Sequence, residues 1–267
     1  VRGHAGETVT IRPASGANVA VFGSRSYLTI DRLTFDGVNV SSVVMLLGNA
    51  SNNIRVQNSV ITNSPLTCIS SYNVTVTPYS HHWEFIGNEI SNCINSNDPS
   101  NDPTGNQGSA PAIYLDNAGD NLIEYNSIHN IDGYAVRMRK ESAFSNNNNV
   151  IRYNVMYTLR SGVQLGAGSN SAFYENILYD ACNPSVSTGL NPPVGAIYVA
   201  LDSPTNFRIY NNVVHGSGGS CYAIYNQSGA TGTIARNNLI YNNPNTVFNS
   251  GSLTQSNNLT TDPNYMN

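Results

Sequence analysis

The chain is poor in charge. Only 10% of its 267 residues are Asp, Glu, Lys or Arg, and a single lysine, Lys140, stands among them. With a formal net charge of -4 it lacks the basic face that neutralises nucleic-acid phosphates, which excludes nucleic acid as a partner. No apolar run approaches the roughly 20 residues of a helical membrane span. Segments with apolar residues at helical spacing are also missing, which excludes helix bundles and alternating α/β layouts. The four cysteines, Cys68, Cys93, Cys182 and Cys221, contain no C-x-x-C spacing, so zinc is not indicated. Four cysteines allow about three pairings. Cys68–Cys93 and Cys182–Cys221 are favoured, because each pair then joins successive copies of the repeat described next. Disulfides point to an oxidising setting, secreted or at a cell surface.

Asparagine is abundant: 41 of 267 residues, and their spacing carries the fold. A frame of apolar residue, any residue, a variable position, Asn, any residue, apolar residue recurs along the chain. It reads IRVQNSVI (Asn58), FIGNEI (Asn88), IEYNSI (Asn126), IRYNVM (Asn154), FYENIL (Asn176), RIYNNVV (Asn212) and IARNNLI (Asn238). The intervals between these asparagines run from 22 to 38 residues, inside the range of stacked solenoids. Before most of them sits a companion strand of period two: VVMLL, AIYLD, AVRMR, GVQLG, AIYVA and AIYNQ. A single all-β domain over residues 1–267 follows, built of coils that cannot bury their inner faces alone and therefore stack.

These Asn-containing repeats, with the lead-in GETVTIRPASGANVAVFGSRSYLTIDRLTFDG, resemble right-handed parallel β-helix proteins of the pectate-lyase-like superfamily. The alginate and chondroitin lyases among them share a similar lead-in. The resemblance implies a right-handed parallel β-helix with loop excursions and a ladder of stacked turn asparagines, a role matched by Asn58, Asn88, Asn126, Asn154, Asn176, Asn212 and Asn238. It also implies capping segments at both ends. The chain begins and stops inside the repeat pattern, so the expectation is either a longer protein that has been trimmed or coil ends covered by something else, self-association of the ends into fibres among the options. The paired Asp-Asp with a following Gly-His-Gly of β-helix polygalacturonases is missing, as is an R-I-K segment.

Because side chains alternate, the outward positions of the companion strand can be read directly. One row is Tyr114, Arg137, Gln164, Tyr198 and Tyr225; two residues on lie Asp116, Arg139, Gly166, Ala200 and Gln227. Long excursions at residues 72–81, 95–110, 140–149 and 182–194 flank this face and are expected to wall a groove for a polysaccharide. The resemblance points the same way, since family enzymes commonly carry their sites on one such face. The leading expectation is a secreted or cell-surface scaffold with a glycan-compatible groove, and the alternative is a polysaccharide lyase. For β-elimination from a uronate polymer, Arg137 or Arg139 would neutralise the carboxylate, Lys140 would be the base and Tyr114 the acid. The bland reading of that cluster is a surface group balanced by Asp116 and Glu141. Asp98 and Asp102 are weak candidates for Ca²⁺ and equally turn formers.

A second outward row lies three residues after the ladder asparagines: His129, Tyr157, Tyr179, His215 and Tyr241. It reads either as a platform for sugar rings or as ring packing that stabilises the coil. His81 and His82 are expected on opposite sides of a strand, unable to share a metal, and Trp83 is expected at a coil edge. Sequons at Asn39, Asn49, Asn73, Asn226 and Asn258 are glycosylation candidates.

Overall fold

In the computed structural model the described residues are 1–4, 6–48, 50–71, 80–94, 110–139, 146–183, 194–219 and 221–263. One coil explains the rest. Leu122–Glu124 runs in a first sheet, Ser127–Ile131 in a second and Val136–Arg139 in a third. The chain then returns to the first sheet as Val150–Arg152, pairing parallel with Leu122–Glu124. Repetition yields three parallel sheets of nine strands each and, among the described residues, no helix. The first sheet extends from Ser26–Asp31 to Leu253–Ser256, the second from Thr10–Ile11 to Leu239–Tyr241, the third from Ala20–Val21 to Asn245–Asn249. The protein is a right-handed parallel β-helix, the hand that parallel crossover connections favour.

Each sheet contributes its inward residues to one continuous core. Ile123, Ile151, Phe173 and Ile209 stack in register from the first sheet, and Ile128, Met156, Leu178 and Val214 from the second. Met138, Leu165 and Val199 do so from the third, and all eleven are at most 1% exposed. Trp83 belongs to this core and not to a coil edge. It is fully buried, stacks on Phe85 at 5.9 Å and meets Phe22 edge-on at 5.6 Å. Its indole N–H donates to the Ser51 carbonyl, which is the partner a buried Trp needs.

The asparagine ladder stands between the first and second sheets. Asn88, Asn126, Asn154, Asn176 and Asn212 are all buried, and each donates both its backbone N–H and its Nδ2 to the Oδ1 of the next rung, ending at Asn238. Asn238 donates onward in the same way to Asn258. Asn58 is not a rung. It is exposed with φ +50° and donates to Asp31 Oδ1, while Ser59 takes the ladder place and its N–H donates to Asn88 Oδ1. The cause is a one-residue offset: Ile61, not Val60, pairs with Ile90. The left-handed conformation belongs to the residue before each rung, including Tyr125, Tyr153, Glu175, Asn211 and Asn237. The rungs themselves need an amide, and the residues before them need tolerance of positive φ.

A second, shorter amide stack closes the corner ahead of the first sheet. Trp83 N–H donates to Asn121 Oδ1, and Asn121 donates through N–H and Nδ2 to Asn149 Oδ1. Both disulfides form as paired from the repeat, Cys68–Cys93 and Cys182–Cys221. Two sequons lose their candidacy for glycosylation: Asn226 is fully buried with Nδ2 bonded to Asn249, and Asn258 serves the ladder. Asn39 is exposed; Asn49 and Asn73 lie outside the described residues.

Candidate functional site

The outward row of the third sheet falls in register as Tyr114, Arg137, Gln164, Tyr198 and Tyr225 on five successive coils. Four steps of about 4.8 Å make it about 19 Å long, the scale of a short oligosaccharide. The row is recessed, not open. Arg137 is 6% exposed and Gln164 1%, whereas Tyr114, Tyr198 and Tyr225 are half-buried. The Arg137 guanidinium stands 5.5 Å from the centre of the Tyr114 ring and 5.9 Å from that of Tyr134. A cation seated between two π faces keeps its charge in a partly dry place at lower cost. Alternation gives no sign of Tyr134, which lies in the turn before the strand.

Toward the C-terminal coils the row becomes aromatic. Tyr198 meets Tyr225 edge-on at 5.4 Å, Tyr225 stacks on Phe248 at 4.5 Å, and Tyr222 packs against both Tyr225 and Phe248. Phe248 extends the register by one coil. Gly195 makes room, since a Cβ there would come within 2.7 Å of the Tyr225 Cβ. The Tyr198 hydroxyl donates to Gln227 Oε1 at 3.0 Å. Burial, with Tyr134 and Tyr225 adding to it, pushes its phenol up to about 12, so it remains a neutral donor throughout the physiological range.

In the parallel row, Asp116 lies beside Arg139. Asp116 is fully buried, and its N–H donates to Ser71 Oγ; Arg139 is half-buried and stands nearer the surface. Lys140, Glu141, Asp98 and Asp102 lie outside the described residues. Among the described residues, no group of three or more His, Cys, Asp or Glu side chains is placed to hold a metal ion.

The second-sheet row also forms in register, with His129, Tyr157, Tyr179, His215 and Tyr241 on successive coils. His129 and Tyr157 stack at 4.8 Å and 13°, Tyr157 and Tyr179 at 4.8 Å and 4°, His215 and Tyr241 at 5.3 Å and 23°. Face-to-face stacking uses the faces that a sugar ring would need, and leaves edges and hydroxyls outward. The column therefore favours the coil-stabilising reading. Tyr157→Leu, which removes two stacked pairs, is expected to cost about 1–3 kcal/mol in denaturant unfolding and leave glycan binding unchanged. Loss of binding at unaltered stability would return this column to the ligand side.

The histidine pair departs from simple alternation. His82 has φ +54°, which turns it toward its neighbour and brings His81 Nδ1 and His82 Nδ1 to 2.7 Å. Burial lowers the pKa of His81, and the nearby His82 lowers it further.

Three parallel sheets, a buried amide ladder and a recessed polar–aromatic strip define a β-helix with an elongated side face. Residues 74–264 match the family described as right handed beta helix region, and the chain belongs to that family. No curated protein matches it by sequence. Among solved structures, it is similar to a tailspike protein double mutant of E. coli bacteriophage HK620 in complex with a pentasaccharide. That match has TM-score 0.64 and 13% identity, over 91% of this chain and 44% of the tailspike chain. It is similar also to PfbA, a surface adhesin of Streptococcus pneumoniae, with TM-score 0.51 and 13% identity over 88% of this chain and 70% of the adhesin. The chain spans less than half the length of the tailspike chain it matches. At these identities the likeness is one of fold.

Proposed function

We propose that the protein binds a polysaccharide along the face of its third sheet, with preference for an acidic polymer. The observation that carries this reading is the registered strip from Tyr114 to Tyr225, in which Arg137 is held between two tyrosine rings. Gln164 follows it one coil on, then two further tyrosines. A guanidinium pairs with a sugar carboxylate or sulfate through two donors at once, and the tyrosine hydroxyls along the strip meet sugar hydroxyls. The tailspike match, solved with a pentasaccharide bound, and the surface adhesin support a glycan role by analogy of fold. Two disulfides support a place outside the reducing cytoplasm.

Cleavage of the bound polymer is the second reading, favoured by one contact: the Tyr114 ring lies beside the Arg137 guanidinium. A phenol next to a cation can protonate the leaving oxygen while the neighbouring carboxylate is neutralised; the proton taken from C5 would go to Lys140, which lies outside the described residues. Incubation with alginate, pectate and chondroitin tests both readings together. Saturable binding to at least one acidic polymer is expected, and absorbance from unsaturated uronates would add the lyase activity. Failure to bind any of the three, with neutral polymers bound instead, would overturn the preference for acid.

A further inference from the structure

A second concave surface lies on the first sheet, on a different side of the coil from the strip just described. Tyr27, Asn53, His82 and Asp120 all have positive φ, between 51° and 57°, at the corner that opens each first-sheet strand. Beside them runs the outward row Arg55, Glu84 and Leu122, in register on successive coils. Along the two columns lies a trough of about 390 Å³, whose lining also includes Leu28. That volume falls in the range of ligand pockets, roughly 300–1,000 Å³. From Tyr27 to Asp120 is three coil steps, about 14 Å at 4.8 Å each.

We infer that this trough is a second carbohydrate site, one that takes a neutral oligosaccharide. The polar groups along it are planar and already held. Arg55 and Glu84 are joined as an ion pair, and Asp120 Oδ1 accepts from Asn148 Nδ2 at 2.9 Å. Held carboxylate, guanidinium and amide groups suit the vicinal hydroxyls of a pyranose, because each presents two hydrogen-bonding atoms in one plane. Tyr27, 81% exposed at one end, supplies an open ring face for the apolar side of a sugar. Charge selects the ligand. The lining holds one guanidinium and two carboxylates, which disfavours a polyanion here, whereas the third-sheet face carries Arg137 and Arg139 against the one buried carboxylate of Asp116. Stacking against its own neighbours disqualifies the second-sheet column for the same task; Tyr27 has no such stacked partner among the described rings.

Calorimetric titration with maltohexaose, cellohexaose and β-1,4-mannohexaose tests the inference. At least one of these is expected to bind the unmodified protein saturably. Tyr27→Asn removes the ring while keeping a residue that tolerates positive φ, and Glu84→Gln removes a carboxylate while keeping its shape. Each is expected to weaken that binding tenfold or more with the unfolding temperature retained. Arg137→Ala is expected to leave it unchanged, which separates this site from the third-sheet reading. Absence of binding by all three sugars, binding that survives both trough substitutions, or binding lost in Arg137→Ala would each overturn the inference.

Discussion

Asn154→Ala lowers the unfolding free energy by about 3–5 kcal/mol, the largest single effect expected outside the hydrophobic core. The side chain is 1% exposed. Its Oδ1 accepts from both the N–H and the Nδ2 of Asn126, and its Nδ2 donates to Asn176 Oδ1 and to the carbonyls of Ile123 and Arg152. Alanine deletes one rung and strands buried partners on the coils either side. Each stranded group costs roughly 1–3 kcal/mol, and the burial leaves little access for water to replace the lost bonds. Asn58→Gly is the control. Glycine accepts the φ of +50° at that exposed site and forfeits only the bond to Asp31, so a cost of about 1 kcal/mol or less is expected. Denaturant unfolding followed by circular dichroism reads both. Equal costs at the two positions would contradict the ladder's role as the spine of the coil.

Arg137→Ala weakens binding of the preferred acidic polysaccharide about 30-fold or more, equivalent to about 2 kcal/mol or above for a partly desolvated charged contact. Arg137→Lys separates charge from shape. It keeps the positive charge, so the salt dependence of binding is retained, but it lacks the flat fork that lies between Tyr114 and Tyr134. An intermediate loss of about fivefold is expected, together with unchanged far-ultraviolet dichroism in both variants. Binding at full strength by Arg137→Ala would remove the strip's one buried cation from the recognition scheme.

Much of this arrangement is legible in the sequence. Period-two strands and recurring asparagines specify the coil, since a solenoid repeats its backbone and every rung meets the same chemical demand. The register of Tyr114, Arg137, Gln164, Tyr198 and Tyr225 follows for the same reason. Depth does not follow. Alternation says on which side of a sheet a residue stands, not that Arg137 and Gln164 are almost wholly buried there. Residues with positive φ also break the count: Asn58 imitates a rung one place too early, and His82 turns toward His81 where strict alternation would part them. Trp83 enters the core because its strand position is inward, paired with Ile54, a fact its bulk and its polar neighbours conceal. The first-sheet trough is hidden from sequence because its lining comes from four coils, and four of its ten residues, Tyr27, Asn53, His82 and Asp120, have positive φ, which breaks the alternation.

A crystal structure of the protein with its tightest-binding acidic oligosaccharide tests the central claim most directly. The ligand is expected along the third sheet between Tyr114 and Tyr225, with an acidic group within hydrogen-bonding distance of Arg137 or Arg139. An acidic oligosaccharide seated on the first or second sheet, with that strip empty, would contradict the account.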